Sequence, residues 1–151
     1  MQELASAIKI ACNGHDGQFD KGGMPYILHP MKVMHYTKST DVKVLAAAVL
    51  HDVIEDTSYT YQDLREAGIS EEVIEAVRAL TKQPGQTFEE YKHAVLSNKI
   101  ARTVKKADLR HNSDLRRIKG VTDKDVARTA KYMRFYQEIK EFELALESEK
   151  E

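Results

Sequence analysis

The stretch "VLAAAVLHDVIEDT", residues 44 to 57, decides how this chain is read. Seven apolar residues run into His51, Asp52, Glu55 and Asp56 with no polar–apolar alternation, which favours a helix over a half-buried strand. An α-helix turns 100° per residue, so with His51 at zero Asp52 falls at about 100°, Glu55 at about 40° and Asp56 at about 140°. All four ionisable groups then share one face. One turn earlier on that face Ala47 and Ala48 are small, which predicts open space beside the polar cluster. The stretch reads as a pocket wall.

Helical periodicity continues on both sides, and runs of alternating β-branched residues are absent, so the chain reads as all-α. The spacing predicts about eight helices, over residues 2–13, 30–37, 41–56, 60–67, 71–82, 87–97, 99–117 and 123–147. Start signals are Asp41, Thr60, Ser70 followed by Glu71 and Glu72, and Thr122 with Asp125 three residues on. Residues 14–30, "GHDGQFDKGGMPYILHP", break the pattern with four glycines and two prolines and read as a functional loop.

At 151 residues one domain spanning 1–151 is expected. Hydrophobic residues make up 42% and charged residues 31%, and the formal net charge is −1. The charges are interspersed, which disfavours a nucleic-acid or membrane partner and favours a small molecule. A lone cysteine, Cys12, excludes an internal disulfide and reads as a core residue. No secretory leader precedes residue 10 and no apolar run is long enough to cross a bilayer, so a cytoplasmic location is expected. The oligomeric state is left open.

His29, His51, Asp52 and Asp108 together would form a mixed nitrogen and oxygen site suited to Mn²⁺, Fe²⁺ or Zn²⁺. Asp108 and Asn112 stack on one helix face, with Lys105 about 60° from Asp108. Taken alone, an adjacent His-Asp pair is as readily a polar surface. Four ionisable groups against an alanine-lined face favour a bound cation or water, because their burial is otherwise costly.

"HD" at 51–52, with His29 before and Asp108 after, resembles the signature of the HD metal-dependent phosphohydrolases. "GQFDKGGMPYILHP", "AAAVLHDVIEDT", "LTK" and "KKADLRHN" resemble, more closely, the hydrolase domain of the RelA/SpoT alarmone enzymes and its stand-alone small versions. The resemblance implies an HD-domain helical bundle and a Mn²⁺-dependent removal of 3′-pyrophosphate from guanosine tetra- or pentaphosphate. It places the metal ligands on His29, His51, Asp52 and Asp108, and the water-activating pair on Glu55 and Asp56. Substrate contacts fall on Lys21, Asn112, Arg128 and Tyr132, with Lys105 nearby as a further basic residue.

Two positions depart from that family. Asp20 stands where an arginine stacks on the guanine base, and Asp114 where a second arginine is usual. Both subtract positive charge near a polyanion. The expectation for Asp20 is a solvent-facing side chain on a mobile loop, leaving base selection loose, with Arg116 or Arg117 as possible compensation. Alternatives are hydrolysis of another nucleotide, such as an adenine alarmone or the 2′-phosphate of NADPH, and a non-hydrolytic nucleotide-binding module. Of the remaining candidates, Tyr26 reads as packing, and His15 and His111 as supports for the site.

Overall fold

The computed structural model describes residues 2–150. Among them the chain forms nine α-helices: α1 (Gln2–Gly14), α2 (Leu28–Tyr36), α3 (Val42–Leu50), α4 (Val53–Asp56), α5 (Tyr61–Glu66), α6 (Glu71–Leu80), α7 (Phe88–Leu96), α8 (Lys99–Asn112) and α9 (Asp123–Glu149). A 3-10 turn, η1, covers Leu115–Arg117. No named strand forms among these residues, and one isolated antiparallel bridge joins Phe19 to Pro25. The all-α expectation holds.

The core is built around α3, which packs against α1, α2, α6 and α8. Val49, Leu50 and Val53 are fully buried, and each such side chain contributes about 1.5–3 kcal/mol. Ala46, Ala47 and Ala48 are fully buried too. The space predicted beside Ala47 and Ala48 is therefore filled by the packed core around α3.

The helix expected over 41–56 is broken. His51 caps the end of α3, and its ring Nδ1 lies 2.7 Å from the Ala48 carbonyl, which satisfies one of the oxygens left free at a helix terminus. Asp52, at φ −106° and ψ 0°, then precedes α4 as its N-cap. The break matters because adjacent residues on a continuous helix do not face each other. Here His51 Nε2 and Asp52 Oδ2 are 3.0 Å apart. The angles of an unbroken helix thus give way to a turn that aims two consecutive side chains at one point.

Other boundaries shift for local reasons. The helix expected to run to residue 117 stops at Asn112, and Asp114 accepts the Arg116 backbone N–H to start η1. Thr60, Thr87 and Thr122 form capping boxes with Asp63, Glu90 and Asp125. Ser70 precedes α6, yet its side chain makes no cap bond and instead donates to Glu3 of α1 at 2.7 Å. Cys12 is exposed on α1 rather than part of the core.

Candidate metal centre and adjoining cleft

Three segments converge on one buried point: His29 from the first turn of α2, His51 and Asp52 from the α3–α4 break, and Asp108 from α8. One ligating atom each from His29, His51 and Asp108 lies within 4.8 Å of the other two. His29 Nε2 and His51 Nε2 approach Asp108 Oδ1 to 3.0 and 3.3 Å. Asp52 Oδ2 adds a fourth donor, 3.0 Å from His51 Nε2 and 3.7 Å from His29 Nε2. Neighbouring ligands of one ion held at about 2.1 Å have similar spacings.

The surroundings orient each donor. Asp108 accepts from Lys105 Nζ at 3.0 Å and from Asn112 Nδ2 at 2.9 Å, so α8 presents all three from one face. His29 Nδ1 lies 2.7 Å from His111 Nδ1, with the two rings stacked 5.0 Å apart. Burial, and then the positive charge of Arg117, push the His111 pKa down to about 4. A neutral His111 can accept the His29 Nδ1 proton, which leaves the His29 Nε2 lone pair facing Asp108. Tyr26 OH donates to Asp52 Oδ2 at 2.5 Å. Burial and then the charge of Asp52 raise the Tyr26 pKa, so the phenol keeps its proton.

The donor set fits a divalent cation. His51 Nε2 is buried and has no hydrogen-bond partner, although two carboxylate oxygens approach it. A shared cation accounts for that arrangement better than a simple ion pair does. Burial would raise the Asp108 pKa, but Lys105 and the two histidines hold it well below the usual carboxylate range. Burial opposes the charge on His51, yet Asp52 and Asp108 raise its pKa well above the ordinary imidazole value, a sign that the cluster demands positive charge. Glu55 and Asp56 lie exposed on α4, and burial followed by the charge of Asp52 raises both pKa values. Gln18 reaches the Asp56 backbone carbonyl at 2.9 Å and ties the loop to α4.

A cleft of about 320 Å³ adjoins the centre. Tyr26 and Asn112, which hold Asp52 and Asp108, also line it. Lys21, Arg128 and Tyr132 line the cleft as well, so the structure brings together the residues predicted to hold substrate, while Lys105 sits against Asp108. Arg128 pairs with Asp125 one turn back.

The expectation of a mobile Asp20 is corrected. Residues 19–25 form a small hairpin in which Asp20 Oδ1 accepts the Met24 N–H at 2.9 Å and Oδ2 lies 3.5 Å from Arg117 Nη2. A Cβ on Gly22 would sit 2.6 Å from the Arg117 carbonyl, so the hairpin rests directly on the η1 backbone. Asp114 is held by Arg116, which pushes its pKa down to about 2.

The "HD domain" family matches residues 7–118. The chain belongs to that family. As an HD-domain protein it carries its His-Asp pair at the break between α3 and α4. It is 37% identical over 100 residues to the bifunctional (p)ppGpp synthase/hydrolase SpoT of Escherichia coli, covering 65% of this chain but 14% of that protein. It is 33% identical over 120 residues to a guanosine-3′,5′-bis(diphosphate) 3′-pyrophosphohydrolase of Danio rerio, covering 72% of this chain and 66% of the relative. A solved structure of a metazoan ortholog of SpoT, described as hydrolysing ppGpp, superposes with a TM-score of 0.74 at 25% identity, over 92% of this chain and 85% of that one.

Sequence reasoning passed over the bond from Tyr26 to Asp52 and the lock of Asp20 on Arg117. Neither contact has a local signal, because the partners are brought together by the fold.

Proposed function

We propose that this chain acts as a single metal-dependent hydrolase domain that removes 3′-pyrophosphate from guanosine tetra- or pentaphosphate or a closely related nucleotide. One observation carries the reading: a buried four-donor cluster is joined, through Tyr26 and Asn112, to a cleft lined by Lys21, Arg117 and Arg128. The names of the Danio rerio and metazoan relatives support the substrate class. A cytoplasmic location belongs to this reading, and no helix among the described residues is long and apolar enough to cross a membrane.

His29, His51, Asp52 and Asp108 would hold the cation, with Mn²⁺ the proposed metal. When bound, a divalent ion supplies charge neutralisation at the phosphoryl oxygens and a lowered pKa for water. The chain's own groups do the rest. Glu55 accepts the proton of the attacking water as the bond from phosphorus to the ribose O3′ breaks, and Asp56 orients the water or relays a proton to O3′. The products are a 3′-hydroxyl and pyrophosphate. Lys105 and Asn112 fix Asp108, while Lys21, Arg128 and Tyr132 hold the phosphate and ribose end. A purely binding module has no use for two exposed carboxylates beside the centre.

A second reading, an adenine nucleotide as substrate, gains support from the cleft itself. Asp20 and Asp114 are both engaged by arginines, so neither stands ready to accept the guanine N1–H and N2–H. The deciding experiment incubates the protein and Mn²⁺ with guanine and adenine nucleotides carrying 3′-pyrophosphate, 3′-phosphate or 2′-phosphate. Pyrophosphate released from a 3′-pyrophosphorylated nucleotide is expected. Release of neither phosphate nor pyrophosphate from any of them would overturn the hydrolase reading.

A further inference from the structure

Phe19 is 67% exposed, yet its backbone is among the best-anchored in the loop. It pairs with Pro25, while its neighbours bond across the hairpin from Asp20 N to Met24 O at 2.8 Å and from Tyr26 N to Gln18 O at 2.8 Å. Gln18 is bolted to Asp56, and Asp20 to Met24 and Arg117. A single exposed aromatic is common on protein surfaces, so the weight falls on where this one stands. The ring lines the cleft together with Ile118 and Tyr132, beside Lys21 and Arg128. The cleft volume, about 320 Å³, falls in the range of small-ligand pockets.

We propose that Phe19 is the platform on which the nucleotide base stacks, and that it accepts either purine. The proposal rests on the nucleotide reading above and goes further, assigning base recognition to one side chain. If the phosphates lie toward the metal centre and the cations, the base lies toward the outer cleft, where Phe19 offers an apolar face. Stacking on a phenyl ring uses the π-face every base has, so it selects for a base without distinguishing guanine from adenine. Edge recognition would need a side-chain acceptor, and Asp20 and Asp114 are occupied.

The sequence contains no tryptophan, so Phe19→Trp introduces a single reporter at the proposed platform. Its fluorescence is titrated with guanosine 3′,5′-bisphosphate, adenosine 3′,5′-bisphosphate and, as the base-free control, ribose 5-phosphate. Saturable quenching by both nucleotides, with affinities within about 10-fold of each other and none from ribose 5-phosphate, is expected from stacking. Quenching by neither nucleotide, or a guanine preference above about 100-fold, overturns the proposal, since stacking alone does not discriminate so far. In turnover, Phe19→Ala is expected to raise KM about 10-fold for both purines with kcat kept, and Phe19→Tyr to restore it. A Phe19→Ala protein with unchanged KM sinks the platform and leaves the hydrolase reading intact. Quenching by both purines in a protein that releases no pyrophosphate does the reverse.

Discussion

Removing the Tyr26 hydroxyl is the sharpest test of how the centre is held. The phenol donates to Asp52 Oδ2 at 2.5 Å, and its ring is fixed against His15 and His29 at centroid distances of 5.0 and 5.6 Å. Tyr26→Phe keeps those ring contacts and deletes one bond to a charged acceptor, worth about 1.5–3 kcal/mol. Two effects then oppose each other. Without the phenol the Asp52 oxygen carries more charge, which favours a cation, but the carboxylate is free to rotate toward His51 and must be reoriented. Loss of orientation should dominate, because removing groups that orient metal ligands typically lowers affinity by about 10- to 100-fold. The bond is made without metal, so to the extent that it persists with metal its worth cancels, and a loss near the lower end, about 10-fold, is expected. Competition for Mn²⁺ against a fluorescent chelator measures this, with circular dichroism to show that the helices are intact. Equal affinities within about 2-fold, less than the 10-fold low end of such effects, would mean Tyr26 only packs.

Further outcomes follow from the same geometry. Asp52→Ala should leave a folded helical protein that no longer retains metal by elemental analysis, and unchanged metal content would remove Asp52 from the ligand set. Glu55→Gln should keep metal and nucleotide binding while cutting turnover by about 100-fold or more; loss of metal instead would move Glu55 among the ligands. In metal-free protein the His111 pKa is pushed down to about 4, so the unfolded chain takes up the proton first and the contribution of His111 to stability should fall as pH drops from 6.5 toward 4, with the raised Glu55 and Asp56 opposing it at the lower end. His51, raised above its ordinary value, has its full stabilising effect below 6.5 and adds no slope there. Urea midpoints across that window should flatten in His111→Asn, and a slope equal to wild type would show that other groups set it.

The candidate site was legible where contacts are local in sequence or carried by motif. Lys105, Asp108 and Asn112 sit at three- and four-residue spacings, so any helix through them makes a single face, and the hydrogen bonds bear this out. The His51–Asp52 break was not legible, because it depends on an imidazole taking the Ala48 carbonyl. Helix spacing put His51 and Asp52 on one face, whereas a turn between two helices is what brings their side chains together. Tyr26 and His111 were harder still, since their partners lie 26 and 82 residues away in the chain. An all-α fold followed from periodicity, whereas the alanines at 46–48 fit a pocket wall and a tight helix contact equally well until their neighbours were placed.

Asp20 shows the limit of counting charges along a chain. Two aspartates at positions where the family resemblance implies arginine suggest a cleft too negative for a polyphosphate. In the structure each is matched, Asp20 by Arg117 and Asp114 by Arg116, so the loss of positive field is largely offset within the same wall. Restoring an arginine by Asp20→Arg should therefore harm the site. It removes the acceptor of the Met24 N–H, sets two guanidinium groups against each other beside His111, and leaves Gly22 pressed on an η1 backbone that has lost its tie. Losing one charge-assisted bond and gaining a like-charge contact at a partly exposed site costs about 1–3 kcal/mol. A lower urea midpoint and a raised KM are expected despite the added positive charge, and Asp20→Arg combined with Arg117→Asp should recover part of both by restoring the pair with reversed sense. If Asp20→Arg alone instead lowered KM without loss of stability, long-range charge would outweigh the local lock, and the hairpin would not owe its position to Asp20.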